Sequence, residues 1–221
     1  MQGRWCVVLF ILLMGLSANA LASGQVGNDA SRLANNGKEM KSIRILITYQ
    51  SKYGSTKQYA EWIHQETKGD LIRIEDGDPP DLSGYDILII GGSVRMGKIV
   101  VAPFLQDHWG VLKGKKIVLF TTSITPPGHP RIQTMYEKSL PEEIRKEIRY
   151  FPFPGRISMA QLTLLDKKLV AIGKMMEEDE TLKGDMGKDI DGVRREHLLP
   201  LFEYVKEMKT AVTSKRGCGI E

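Results

Sequence analysis

Three stretches of this chain combine hydroxyls, glycines and cations at spacings suited to holding an anionic group. In Ser51-Lys52-Tyr53-Gly54-Ser55-Thr56, three hydroxyls and a glycine stand immediately before an amphipathic stretch. Backbone N–H groups at a helix start carry the positive end of the helix dipole, so hydroxyls placed there converge with them on a phosphate. Gly54 lets the backbone come close, and Ser51, Ser55 and Thr56 can donate. A plain N-cap turn needs one hydroxyl, and this segment has three.

The second stretch is Gly91-Gly92-Ser93-Val94-Arg95-Met96-Gly97. Gly92, Gly97 and Lys98 nearly match the phosphate cradle of nucleoside triphosphatases, which needs Ser or Thr after the lysine to ligate magnesium. Ile99 stands there instead, which argues against that chemistry. The third stretch, Thr121-Thr122-Ser123-Ile124-Thr125-Pro126-Pro127-Gly128-His129-Pro130, adds hydroxyls and one imidazole. Among His64, His108, His129 and His197, only His129 falls in such a loop, and the four show no metal-ligand spacing. No Ser/His/Asp set or carboxylate pair stands out, so the pattern assigns neither a catalytic residue nor a metal.

These loops need rigid elements to aim them. Short apolar runs recur at Ile43 to Tyr49, Leu71 to Ile74, Asp86 to Ile90 and Ile117 to Phe120, each bounded by turn residues,. Ile87-Leu88-Ile89-Ile90 and Ile117-Val118-Leu119-Phe120 are unbroken, as expected of parallel strands covered on both faces. Between them lie helical patterns, Thr56 to Lys68 with Tyr59, Ala60 and Ile63 on one face, and Val100 to Leu112 with Val101, Phe104, Leu105 and Trp109,. A fifth strand is predicted near Arg149 to Ile157, at an edge because of Pro152 and Pro154. Closing helices are expected at Met159 to Glu177 and Val193 to Thr210. Strand alternating with helix implies an α/β doubly wound parallel sheet, with its ligand beyond the carboxyl ends of the strands.

At the end of the first strand, Tyr49, Ser51, Gly54, Thr56, Ala60 and Ile63 match in order the aromatic, hydroxyl, small residue, threonine, alanine and aliphatic of the flavodoxin signature. The chain resembles that family between Ile43 and Thr210, departing at Thr48, where a bulkier residue is usual. The resemblance implies a flavodoxin-like doubly wound five-stranded parallel sheet with helices on both faces, binding FMN noncovalently. By it, Ser51, Lys52, Tyr53, Gly54, Ser55 and Thr56 hold the phosphate. Ser93, Val94, Arg95, Met96 and Gly97 lie on one side of the isoalloxazine, and Thr121, Thr122 and Ser123 border the other. Electron carriers of the family usually sandwich the ring with Trp or Tyr from these loops. Neither loop here contains one, which leaves Met96 to pack there and implies a more open flavin face,.

The Gly-Ser-Val-Arg succession, Gly155-Arg156-Ile157 and the Asp166-Lys167-Lys168 helix are similar to one branch, the menaquinone-dependent protoporphyrinogen IX dehydrogenases and their flavodoxin-domain relatives. That likeness implies an FMN-dependent oxidoreductase using protoporphyrinogen IX or a similar reductant with a quinone acceptor; Arg95 and His129, by their places in the second and third loops, are the candidates to bind the substrate. The other reading left open is a noncatalytic electron carrier between redox proteins. Such carriers usually present an acidic face, whereas this chain's excess is basic.

Arg4 precedes an apolar run from Trp5 to Leu16, followed by Ala18-Asn19-Ala20 and Ala20-Leu21-Ala22, an order that reads as a signal peptide or membrane anchor over residues 1–22,. The run is about 12 residues, short of the roughly 20 a spanning helix needs. Residues 23–41 read as a flexible linker, 42–213 as the FMN-binding domain and 214–221 as a tail. The expected location is exported or membrane-associated, or cytoplasmic if the true start is Met40. With 42% hydrophobic and 26% charged residues, the 221-residue chain has enough material for one core,. Its net charge of +4 is interspersed rather than gathered, and aromatics are only 7%, so no nucleic-acid stripe is present,. The expected partners are a small redox substrate or quinone, a redox protein and a membrane. Cys6 and Cys218 lie near opposite ends, and no disulfide is expected between them,.

Overall fold

The aliphatic runs become the middle of a sheet because both of their faces are covered. Ile87, Leu88, Ile89 and Ile90 are all fully buried in the computed structural model, which describes residues 42–74 and 81–217, with the side chains of 215–217 left aside. The expected signal or anchor, the linker, both cysteines and the last four residues lie outside the described residues. Five parallel strands, β1 (Ile45–Tyr49), β2 (Asp70–Arg73), β3 (Ile87–Arg95), β5 (Lys116–Ser123) and β6 (Ile148–Pro154), run in the order β2-β1-β3-β5-β6, and a short β4 (Lys98–Ile99) pairs antiparallel with β3. This is the α/β doubly wound sheet predicted from the alternating pattern, with β4 as an addition.

Helices cover both faces. α1 (Ser55–Thr67) packs with α8 (Leu199–Gly217) through Tyr59, Ile63, Leu201 and Val205 against Ile47, Ile89 and Phe120. The opposite face is covered by α2 (Ala102–Asp107), α3 (Trp109–Leu112), α4 (Pro130–Ser139) and α5 (Glu142–Glu147), through Leu105, Leu112, Tyr136 and Ile144. Alternation along each strand sends Ile47 to one layer and Leu46 to the other,. β6 takes the edge as expected, since Pro152 and Pro154 are two residues apart and both turn their N–H-less nitrogens the same way,.

Several boundaries differ from the sequence expectation. The helix expected over 100–112 is two pieces parted at His108, whose backbone N–H and imidazole Nδ1 both donate to Phe104 O, at 3.1 and 2.9 Å. The pattern assigns no element between residues 131 and 147, where α4 and α5 form. Pro130 at the first helical turn and Ile132–Tyr136 at i, i+4 spacing carry that helix signal,. After β6 the chain makes β7 (Arg156–Ile157), α6 (Leu164–Met176), α7 (Glu180–Asp185) and β8 (Ile190–Asp191) before a 3-10 turn, Arg195–Leu198, leads into α8. α8 runs to Gly217, past the domain end expected at 213, because no helix breaker lies between Pro200 in its first turn and that glycine,.

Candidate functional site

The loop after β1 turns at Gly54, whose φ of 90° sits in the left-handed region, and α1 begins at the next residue,. Ser51 Oγ accepts from Gly54 N at 3.2 Å, leaving the serine proton free to donate outward. The first bond inside the helix runs from Gln58 N to Gly54 O at 2.9 Å, so the amides of Ser55, Thr56 and Lys57 stand in the orphan first turn,. Two of the three hydroxyls are committed elsewhere. Ser55 Oγ accepts from Arg156 N at 2.9 Å, and Thr56 Oγ1 shares a 2.8 Å bond with Thr122 Oγ1. In this structure those side chains tie the loop to β7 and β5, and anion donation falls to the backbone amides and Ser51.

The second loop is tighter than its sequence suggests. β3 continues to Arg95, which pairs with Lys98 of β4 across a two-residue turn, Met96-Gly97. Both turn residues have positive φ, 49° and 73°, the signature of a hairpin turn matched to strand twist,. Met96 is thereby held at the tip, 77% exposed. On the neighbouring strand, Thr122 and Ser123 line the cavity beside the two loops, whereas Thr121 does not. Alternation separates it from Thr122 and turns the Thr121 hydroxyl to the other face of the sheet, where it meets Tyr150 Oη at 2.8 Å, whereas Ser123 is the last residue of β5,.

These loops surround one cavity of about 980 Å³, roofed by α6. Thr163 caps α6, its Oγ1 accepting from Asp166 N at 3.2 Å. The Asp166 carboxylate, 7% exposed, reaches down between the first two loops. Lys52 Nζ donates to it at 2.6 Å, and Tyr53 Oη and the Arg95 guanidinium donate as well. Hydrogen bonds from Lys52 and Tyr53, aided by the charge of Arg95, hold the Asp166 carboxyl well below the usual carboxylate range,.

A second latch closes the other end of α6. Arg131 on α4 forms a two-pronged pair with Glu177, with NH2 to Oε1 at 2.6 Å. That fork pulls the Glu177 carboxyl below its ordinary value,. Arg131 N donates to His129 Nδ1 at 3.1 Å, so Nε2 carries the ring proton and donates to Asp179 Oδ2 at 3.0 Å,. His64, His108 and His197 bond instead within the scaffold, to Gly69 O, Phe104 O and Tyr59 Oη.

Ser51, Lys52, Tyr53, Ser55, Thr56, Ser93, Val94, Arg95, Met96, Gly97, Thr122, Ser123 and His129 thus meet at one cavity, and Gly54 turns the first loop without lining it. Asp166, Arg131 and Glu177 were not singled out as site residues from the sequence. A lone acid at Asp166 on the face shared by Leu162, Leu169 and Val170 is the mark that could have found the first; the other two carry none.

A flavodoxin from Megasphaera elsdenii is 33% identical over 85 residues, which cover 34% of this chain and 62% of that protein, less than two thirds of the relative's length. Oxidised Flavodoxin 2 from Bacillus cereus aligns with a TM-score of 0.40 at 21% identity, covering 51% of this chain and 84% of that one. A flavoprotein from Lactobacillus acidophilus NCFM, solved in complex with FMN, aligns with a TM-score of 0.38 at 18% identity, over 51% and 93%. Residues 46–183, more than half of the chain and the span that holds all three loops and α6, match the flavodoxin domain model, and the chain belongs to that family.

Proposed function

We propose that this chain holds FMN noncovalently where the first turn of α1 meets the ends of β3 and β5, and uses it to oxidise an anionic organic molecule. Protoporphyrinogen IX, with a quinone as acceptor, is the specific candidate. The observation that carries the reading is one cavity with an amide-lined, phosphate-type cradle at one end and Lys52, Arg95, Arg131 and His129 on its walls. The orphan amides of Ser55, Thr56 and Lys57 and the Ser51 hydroxyl fit a phosphate, and nothing lies within 4 Å of a Cβ built on Gly54,. About 980 Å³ matches the upper range of cofactor pockets,.

When bound, FMN supplies the redox chemistry. Ser93 to Gly97 and Thr122–Ser123 set the walls around it. Arg95 is a carboxylate receptor in this structure, engaged by Asp166, and a substrate carboxylate suits the same guanidinium,. α6 limits water access from above. A second reading, a noncatalytic electron carrier, draws on Met96, whose exposure beside the cavity offers a protein partner an apolar edge,.

Titration of the chain with FMN should quench flavin fluorescence stoichiometrically, and riboflavin should bind about tenfold or more weakly for want of the phosphate contacts. Absence of quenching or binding heat refutes both readings. Anaerobic mixing with protoporphyrinogen IX should bleach the flavin, and soluble quinone should restore it. Arg95→Ala should keep FMN affinity within a few fold and lower kcat/KM for the anionic reductant, with little effect on the neutral acceptor. FMN binding without bleaching favours the carrier.

A further inference from the structure

α6 has two different faces. Asp166, Leu169, Val170 and Gly173 look into the cavity, and Glu177 continues that line into the Arg131 latch. The other face carries Leu164 at 81% exposure, Leu165 at 65%, Ile172 at 52%, Met175 at 84% and Met176 at 78%. Their spacing of i, i+1, i+8, i+11 and i+12 makes one continuous stripe at helical period. A stripe of this kind usually faces a core; here it faces out. Ile172 and Met176 also belong to the cavity wall, so the stripe borders the mouth.

Charge indicates what covers it. The helix turns its one acid, Asp166, inward, and the acid that caps its end, Glu177, is buried as well. The charges α6 offers outward are Lys167, Lys168 and Lys174. Exposed acids come only beyond the helix end, at Glu178, Glu180, Asp185 and Asp189, with Glu180 paired to Lys183 at 3.0 Å and Asp185 to Lys188 at 3.4 Å. Lys168 falls within the apolar stripe, so pairing α6 with its copy in a second chain would press like charges into the contact. A phospholipid surface receives the same pattern well. The apolar side chains enter the headgroup–acyl boundary, and lysine stems run up to the phosphates. Thirteen residues rise about 20 Å, too short to span, and among the described residues no helix is long and apolar enough to cross a membrane,.

We propose that the outer face of α6 docks on an anionic phospholipid surface, setting the cavity mouth against the membrane. This stands on the helix itself and does not require the flavin reading. The test uses the full chain with Cys6→Ser, Cys218→Ser and Met175→Cys, carrying an environment-sensitive fluorophore at position 175. Vesicles of phosphatidylcholine alone, or mixed with phosphatidylglycerol, are added. The emission should shift to the blue and be quenched by doxyl-labelled lipid, with binding about tenfold or more tighter on the anionic vesicles. Leu164→Gln with Leu165→Gln should weaken that response about tenfold, with circular dichroism unchanged. Lys167→Gln, Lys168→Gln and Lys174→Gln together should abolish the anionic preference. Because the fluorophore sits on α6, attachment through residues 1–22 alone leaves it unchanged. Sedimentation with vesicles but no spectral change therefore overturns the proposal. So does a signal that is already blue-shifted without lipid, or one that tracks self-association or an added soluble protein instead.

Discussion

Thr48 Oγ1 is fully buried in β1, and it has no partner among the described residues. Its neighbours across the sheet are Ile72 and Ile90, which offer no side-chain acceptor. A hydroxyl removed from water and left unpaired costs about 1–3 kcal/mol. Valine has the same shape without the oxygen, so Thr48→Val should raise unfolding stability by about 1 kcal/mol, seen as a higher urea midpoint at unchanged slope. A lower midpoint would mean that the hydroxyl has a partner in solution. Arg95 illustrates a different lesson at the same scale: its loop position marks it as a candidate, but its ion pair with Asp166 spans 71 residues of sequence.

Among the elements, β3 is the most tightly constrained. A Cβ built on Gly91 falls 2.2 Å from Phe120 Cζ on β5, and one on Gly92 falls 2.7 Å from Val101 Cγ2. Gly91→Ala should therefore destabilise by about 1–3 kcal/mol through overpacking, measurable by thermal or urea unfolding. Stability unchanged within error would show that the Phe120 ring can move aside. α6 is the opposite case. It is joined to the cavity rim by the Asp166 and Glu177 latches and carries few fully buried side chains of its own. Asp166→Asn with Glu177→Gln should raise amide exchange across residues 164–176 about tenfold, while β3 and β5 keep their protection. Equal acceleration in both regions would assign the latches to global stability instead.

For the molecule as a whole, the latches make stability depend on acid. Asp166, Glu177 and Asp179 all have folded pKa values below their unfolded ones, caused first by hydrogen bonds from Lys52, Arg131 and His129 respectively. A depressed carboxylate contributes stability that is fully present above its unfolded value, near pH 4, and lost as the pH falls through the folded value. Urea midpoints should therefore be level from neutrality to about pH 5 and fall below about pH 4. Asp166→Asn should flatten that acid limb, and an identical limb in the variant would remove Asp166 from the account.

Period and punctuation determined much of this protein in advance. Unbroken aliphatic runs bounded by turn residues read as strands covered on both faces, and a hydroxyl-rich turn before an amphipathic stretch reads as a helix start; β1, β3, β5 and α1 were therefore legible,. Local pattern carries no information about which partner a polar side chain will meet. Only the tertiary structure spent the Ser55 and Thr56 hydroxyls on β7 and β5, and folded α6 back so that Asp166 meets Lys52, 114 residues earlier in the chain. The outer stripe of α6 belongs to the same class: its helical period was written in the sequence, but that it faces outward while Asp166 is buried against Arg95 is seen only in the folded chain.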